Sequence, residues 1–318
     1  MAVTLYKWDD ASAPAILNSG TGLSTLLDIL DACLVNGYGA KTAAGWTKPF
    51  ANAGNIGCYK NSVSTGGTGT HYRIDDTDPK DSRIVAYENM SDINTGTFPF
   101  PTETQVPGGL NIRKLVNATI GNAANDGKWY VVANERAAHV FLQIGPSPTY
   151  GSFYFFIGDI ISFGPTDTYK GYIQADIGIQ TNYNPGMVQV GANTTSPGRY
   201  FARDISGLTL SFAAGMHGNL ALCDSYLGYG NTVRQAFPNP IDGNLIITNI
   251  FLTHPDPQVV RGMMPGLKAP CHRRPFTNLM THTGDGDLAG KTFLAMDVGF
   301  GTASGSQVLV ETSDTWYV

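Results

Sequence analysis

Charge is scarce in this chain. Asp, Glu, Lys and Arg make up 14% of its residues, against roughly 25% in an average soluble domain. Ser, Thr, Asn, Gly and backbone must therefore cover much of the surface. A loop-rich β protein has this composition, and so does a surface that ends against other subunits, where charge is depleted. The formal net charge of −5 supplies no basic footprint for phosphates, which argues against nucleic acid as a partner. The basic groupings are small: Arg273 and Arg274 beside His272, and Lys170 alone. Long apolar runs are missing as well. No stretch approaches the roughly 18 uninterrupted apolar residues of a membrane span. Residues 1–10 lack a basic region followed by an apolar run, so no secretory signal is expected there and the protein is expected to stay soluble.

Cysteine is sparse and irregularly placed, at Cys33, Cys58, Cys223 and Cys271. No pair has the spacing of a metal knuckle or a redox dipeptide. Free thiols are the default for assembly in the cytoplasm, with a disulfide left open. Signatures of catalysis are missing too. Ser147, set between prolines, lacks the Gly-x-Ser-x-Gly pattern of a nucleophile elbow. The run Gly66-Gly67-Thr68-Gly69 is followed by no helix signal, so it reads as a turn and not as a phosphate loop.

The six histidines show no His-Glu-x-x-His spacing. His139 alternates with apolar neighbours and reads as a packed or edge residue of a strand. His254 and His272 flank a Pro-rich stretch, residues 255–270, read as a loop across which they could converge. Asp75, Asp76, Asp78 and Asp81 form the densest carboxylate group. They could supply oxygens to calcium but lack the ordered spacing of a calcium loop, as does Gly284-Asp285-Gly286-Asp287. Both segments read as solvated turns. Asp159 and Glu311 stand on apolar strands, where a carboxylate is either a structural acceptor or one of the acid pair that glycan hydrolysis requires. No metal, no cofactor and no enzymatic activity is expected.

What the chain does have is β patterning. Its 318 residues, 42% of them hydrophobic, suffice for one large β domain or two ordinary ones. A single helix is expected over residues 23–36, where Leu23, Leu26, Leu27, Leu30, Cys33 and Leu34 repeat on one face and Gly37 closes the end. Burying such a face stabilises by about 1.5–3 kcal/mol per large side chain. The helix must therefore dock, on its own β domain or on a neighbouring subunit.

After it come strands and turns. Residues 72–75 and 83–87 flank the acidic turn 76–79, and 128–133 and 138–143 bracket Asn134-Glu135-Arg136, giving two hairpin candidates. Residues 152–163 are apolar enough for the centre of a sheet. Further strands are expected over 245–253, 291–297 and 307–311. No alternation of strand with long helix appears, which excludes a doubly wound α/β enzyme.

The expected fold is mainly β: a β-sandwich-like main domain, residues 38–165 plus 240–318, with one short N-terminal helix. Residues 1–37 form an N-terminal segment with its docking helix. Residues 166–239, rich in Gly, Asn and Tyr, read as an inserted β-rich subdomain. Trp129 falls in a strand and reads as core. Trp8 and Trp316 near the two ends read as anchors, either within the chain or on a neighbour. Candidate partner contacts are accordingly Trp8, Leu23, Leu27, Leu30 and Trp316.

Several segments resemble bacteriophage virion proteins described as tail, baseplate or structural proteins. The stretch from Leu27-Asp28 through Cys33-Leu34-Val35-Asn36-Gly37-Tyr38-Gly39 to Ala44-Gly45-Trp46-Thr47-Lys48 is similar to that family. So are Tyr87-Glu88-Asn89-Met90-Ser91-Asp92, Thr95-Gly96, Phe98-Pro99 and Phe155-Phe156-Ile157-Gly158-Asp159. Phe237-Pro238-Asn239-Pro240, Asp242-Gly243, Arg261-Gly262-Met263-Met264-Pro265-Gly266-Leu267, Ala289-Gly290-Lys291-Thr292-Phe293-Leu294-Ala295 and Glu311-Thr312-Ser313-Asp314-Thr315-Trp316 complete the set.

The resemblance implies a virion component and carries no catalytic motif. The expected partners are other tail or baseplate proteins and copies of the chain itself, in a symmetric ring or trimer. A receptor-binding module for host glycan or pilus, or a neck or head decoration, is the alternative.

Overall fold

The computed structural model describes residues 2–16, 26–78, 81–114, 128–143, 152–176, 198–208, 216–218, 245–255, 258–270, 275–297, 307–313 and 316–317. The first half supplies β1 (Thr4–Lys7), β2 (Thr47–Asn52), β3 (Ile56–Lys60), β4 (His71–Asp75), β5 (Asp81–Asp92), β6 (Thr95–Phe100) and β7 (Leu110–Arg113). Then come β8 (Trp129–Ala133), β9 (Ala137–Gln143), β10 (Ser152–Asp159), β11 (Ile161–Ser162), β12 (Gly171–Asp176) and β13 (Gly198–Ala202). The remainder gives β14 (Met216–Gly218), β15 (Ile247–Pro255), β16 (Gln258–Pro270), β17 (Thr281–Thr283), β18 (Thr292–Asp297) and β19 (Gln307–Glu311).

The described strands form two antiparallel sheets. The first has twelve strands, with the path β1-β8-β9-β10-β12-β7-β5-β4-β3-β2, while β13 pairs with β12 and β6 with β5. The second has seven, ordered β14-β15-β16-β19-β18-β17, with β11 on β16. Both expected hairpins form, β4 on β5 and β8 on β9.

Strand alternation explains the layering. Along β8, Trp129, Val131 and Ala133 enter one core while Tyr130 and Val132 enter another. Along β10, Phe153, Phe155 and Ile157 go with the first and Tyr154 and Phe156 with the second. The centre of the large sheet is thus buried on both faces, which is why its strands read as unbroken apolar runs. One face packs on the second sheet through Leu252, Met264, Leu267, Met296 and Val310, the sandwich expected from sequence. The other packs on the helix and on the continuation of the same sheet, through Leu26, Leu30, Tyr59 and Ile74.

The helix begins, within the described residues, as α1 (Leu26–Leu30) and widens into a π-helical stretch over Asp31–Asn36. Gly37 N–H donates to Ala32 at 2.9 Å and Gly37 has φ +77°. The widening frees carbonyls for the next segment: Cys33 accepts from Ala44 at 2.9 Å, and Leu34 from Gly45 and Trp46 at 3.1 and 2.9 Å. These bonds satisfy the helix end in place of a side-chain cap.

Three expectations need correction. The described strands within 166–239 do not form a unit of their own, since β12 lies inside the large sheet with β13 beside it and β14 belongs to the second. The N-terminal segment is not separate either, because β1 pairs with β8 over Thr4–Lys7. Lastly, residues 258–270, expected within a loop over 255–270, are not one. Pro255 pairs with Gln258 and the chain runs on as the 13-residue β16. Pro265 is tolerated there because it sits inside a register shift facing Asn249 and Phe251, between the residues that pair with β11 and with β19.

Candidate functional site

The described residues enclose a cleft of about 240 Å³ where the large sheet changes partners. Along β5, Ser82, Ile84 and Ala86 face the interior, and Glu88 continues the same face. Here the edge of β5 passes from β7, paired up to Ile84, to β6, paired from Ala86. Arg203 follows the last residue of β13 and reaches back, placing Nη1 3.2 Å from Glu88 Oε1. The guanidinium lies 4.5 Å from the Phe98 ring centroid and 5.6 Å from that of Tyr169, within cation–π range of both.

This pair is incompletely hydrogen-bonded. Arg203 Nε and Nη1 and Glu88 Oε1 lack a hydrogen-bond partner among the described residues, although the two groups sit at ion-pair distance. Arg203 keeps 8% of its side chain exposed and Glu88 23%. Thr70, Thr168, Asn89 and Gly171 line the same cleft.

Two further networks hold its walls. Arg261, on β16 of the second sheet, donates from Nε and Nη2 to the Asp167 carboxylate at 2.9 and 3.1 Å. It also donates to the backbone carbonyls of Arg203 at 2.5 Å and Tyr169 at 2.6 Å. Burial pushes the Asp167 carboxyl up, but the bonds and charge of Arg261, with Ser162 and the Tyr169 N–H, outweigh that and hold it below the usual carboxylate range.

Beside Thr68, which lines the cleft, Asp159 accepts from Thr68 N–H at 2.9 Å, Thr68 Oγ1 at 2.6 Å and Asn61 Nδ2 at 2.9 Å. Burial pushes this carboxyl up, against those bonds and Arg136. Thr68 Oγ1 donates to Asp159 and also lies 2.7 Å from Thr70 Oγ1. Gly171 permits the approach: a Cβ there would lie 2.2 Å from Thr70 Oγ1.

The other residues singled out from sequence have structural positions. Leu27 and Leu30 are buried in the chain's own core, at 9% and 0% exposure, so they offer a partner almost no area; Leu23 lies outside the described residues. Trp8 is half-buried against both cores, with Lys128 Nζ 5.1 Å over its ring. Trp316 is buried at 6% exposure, donates to the Glu311 carbonyl at 3.1 Å and crosses His139 edge-on at 5.1 Å. It anchors the end of the chain internally.

Asp76 is no solvated residue. It is fully buried and accepts from Leu26 and Leu27 N–H at 3.2 and 3.4 Å, from Ser82 Oγ and from Lys114 Nζ. It therefore satisfies a helix start some fifty residues earlier. Among the described residues no group of His, Cys, Asp and Glu has the geometry of a metal site.

His139 accepts from Tyr154 OH and donates to the Pro265 carbonyl, each at 2.8 Å, and burial pushes it down to about 4. Glu311 bonds Lys291 Nζ at 3.0 Å, a network separate from that of Asp159. Cys33 and Cys58 are free and buried, and Cys223, Cys271, His272, Arg273 and Arg274 lie outside the described residues.

No protein-family model matches this chain, and no curated protein matches it.

Arg203 and Glu88 were not singled out from sequence. The usable signal was Glu88, a carboxylate at the position where Ser82, Ile84 and Ala86 set an inward alternation.

Proposed function

We propose that the chain is a structural component of a bacteriophage virion, at the tail tip or baseplate, assembled in the host cytoplasm and acting through protein–protein contacts. Its partners are other tail proteins and copies of itself in a symmetric ring or trimer. The resemblance of segments spread over most of the chain carries this reading. Several of those segments coincide with fold-determining features: the β5–β6 hairpin, the second half of β10, the bulged part of β16 and the Glu311–Trp316 closure, while residues 237–243 lie outside the described residues. The low charge supports it too, as do large exposed apolar side chains at Val63, Phe98, Phe163, Ile205, Leu208 and Met280.

The test is to image particles made with and without this gene product. Incomplete or non-infectious particles are expected, and a complete, infectious particle lacking the chain overturns the reading.

The Arg203–Glu88 cleft favours one second reading, a receptor-binding module of the tail. Intact tails that no longer adsorb to the host would select that reading over the architectural one.

A further inference from the structure

We infer that Trp316 and Tyr317 form a latch across the two sheets that acid releases, with His139 as the group that takes up the proton. The latch is built from both sheets. β19 ends at Glu311, so the two residues lie beyond that strand and can leave without breaking a strand pair. Trp316 packs where a Cβ on Gly266 of β16 would stand, and it meets the His139 ring of β9 edge-on at 5.1 Å. Its indole N–H donates to the Glu311 carbonyl at 3.1 Å. Tyr317 stacks against Arg136, whose guanidinium lies 3.8 Å from its ring centroid, and its hydroxyl donates to the Asp159 carbonyl at the end of β10. The two side chains tie the second sheet to the large one.

The closed latch requires an uncharged imidazole. His139 is fully buried. Facing it are the Tyr154 hydroxyl from β10 and the Pro265 carbonyl from β16, each at 2.8 Å. The Phe156 and Trp316 rings stand at 4.9 and 5.1 Å, and Val132 is its partner on β8. None of these groups carries a charge. The charged groups around the latch are engaged elsewhere: Arg136 with Tyr317 and Asp159, the Asp159 carboxylate with Thr68 and Asn61, and Glu311 with Lys291. A proton on Nδ1 ends the bond accepted from Tyr154 and places a cation between the sheets with no counter-ion among these neighbours. Withdrawal of Trp316 opens one side of the ring to water, so the open state binds the proton more readily and falling pH favours opening. Burial holds His139 at about 4 in the closed state, against 6.5 in water, so the open fraction rises about tenfold per pH unit between those values. This inference goes beyond the virion reading, and the pure protein decides it whatever the fate of that reading.

Hydrogen exchange of the tryptophan indole N–H groups, followed by NMR on the isotope-labelled full chain, reads the latch. The indoles of Trp46 and Trp129, bonded to the Asn134 and Pro14 carbonyls in the first core, are internal references. After correction for intrinsic exchange rates, Trp316 is expected to exchange at least about tenfold faster than either reference, because the latch opens without the rest of the fold. Its protection should fall about tenfold per pH unit below 6.5, and His139→Gln, which takes up no proton, should flatten that slope. Trp316→Phe assigns the signal, or the proximity of its ring to His139 does so should that variant not fold. Three results each overturn the inference: Trp316 exchanging no faster than Trp46 and Trp129, protection of Trp316 independent of pH, or an unchanged slope in folded His139→Gln. The first two are read on the unmodified chain and decide the matter should His139→Gln not fold.

Discussion

Arg261 and Asp167 meet through two near-parallel bonds, Nε to Oδ2 at 2.9 Å and Nη2 to Oδ1 at 3.1 Å, with side chains 6% and 1% exposed. The pair joins the second sheet to the turn leading into β12 of the first. The same guanidinium reaches the carbonyls of Arg203 and Tyr169, so one side chain ties together both sheets and the cleft.

Removing one partner of such a pair leaves the other charge buried and unmatched. Arg261→Ala is expected to cost about 3–5 kcal/mol, against about 0–1 for a surface ion pair such as Lys7–Asp9. Urea unfolding of Arg261→Ala beside Lys7→Ala measures both, and equal losses would refute the assignment.

Asp76 and Lys114 make a second such node at the start of the helix. Asp76→Ala should cost a comparable 3–5 kcal/mol, whereas Asp76→Asn with Lys114→Met should recover a large part of it, because no unpaired charge remains. A double variant as unstable as the single one would place the cost in the helix-start bonds from Leu26 and Leu27 instead.

His139 sets a pH dependence. Its folded value of about 4 lies below the unfolded value of 6.5, so the folded state binds protons less readily. The stability it confers is therefore complete above pH 6.5 and is lost as pH falls towards 4, by about 3 kcal/mol in total. Asp159, raised by burial, titrates with the opposite sign, which makes the comparison with a variant essential. His139→Gln should be less stable at pH 7.5 but lose less on acidification to pH 4.5. Parallel stability–pH curves for the two proteins would contradict this.

Gly266 has φ +63°, and a Cβ on it would lie 2.1 Å from Trp316 Nε1. Gly266→Ala should therefore dislodge Trp316 and destabilise by about 2–4 kcal/mol, from left-handed backbone strain plus the collision. A red shift of tryptophan emission in the folded state is the accompanying sign; an unshifted spectrum at unchanged stability would show that the ring does not pack there.

How much of this was legible depended on whether the decisive neighbour was close in sequence. The helix was, because the spacing of Leu26, Leu27, Leu30, Cys33 and Leu34 fixes its buried face. Its π-helical end was not, because the groups that draw it out come from residues 44–46. The β8–β9 hairpin was read from local turn chemistry. The burial of Asp76 is not legible locally, since nothing nearby announces that Lys114 and the N–H groups of Leu26 and Leu27 converge on it. Gly262, Pro265 and Gly266 made β16 look like a loop, when they serve a bulge and a close approach to Trp316. The surroundings of Arg203 are not legible either, because a charge after a strand usually reaches solvent, and only the fold brings Phe98, Tyr169 and Glu88 around it.

The central claim is that the chain is built into a phage particle. Quantitative peptide mass spectrometry of gradient-purified, infectious particles carrying this gene tests it most directly. The account predicts the chain in a fixed number of copies per particle, a multiple set by tail symmetry and unchanged by high-salt washing. Infectious particles free of the chain, or holding it only in variable traces that washing removes, would contradict it.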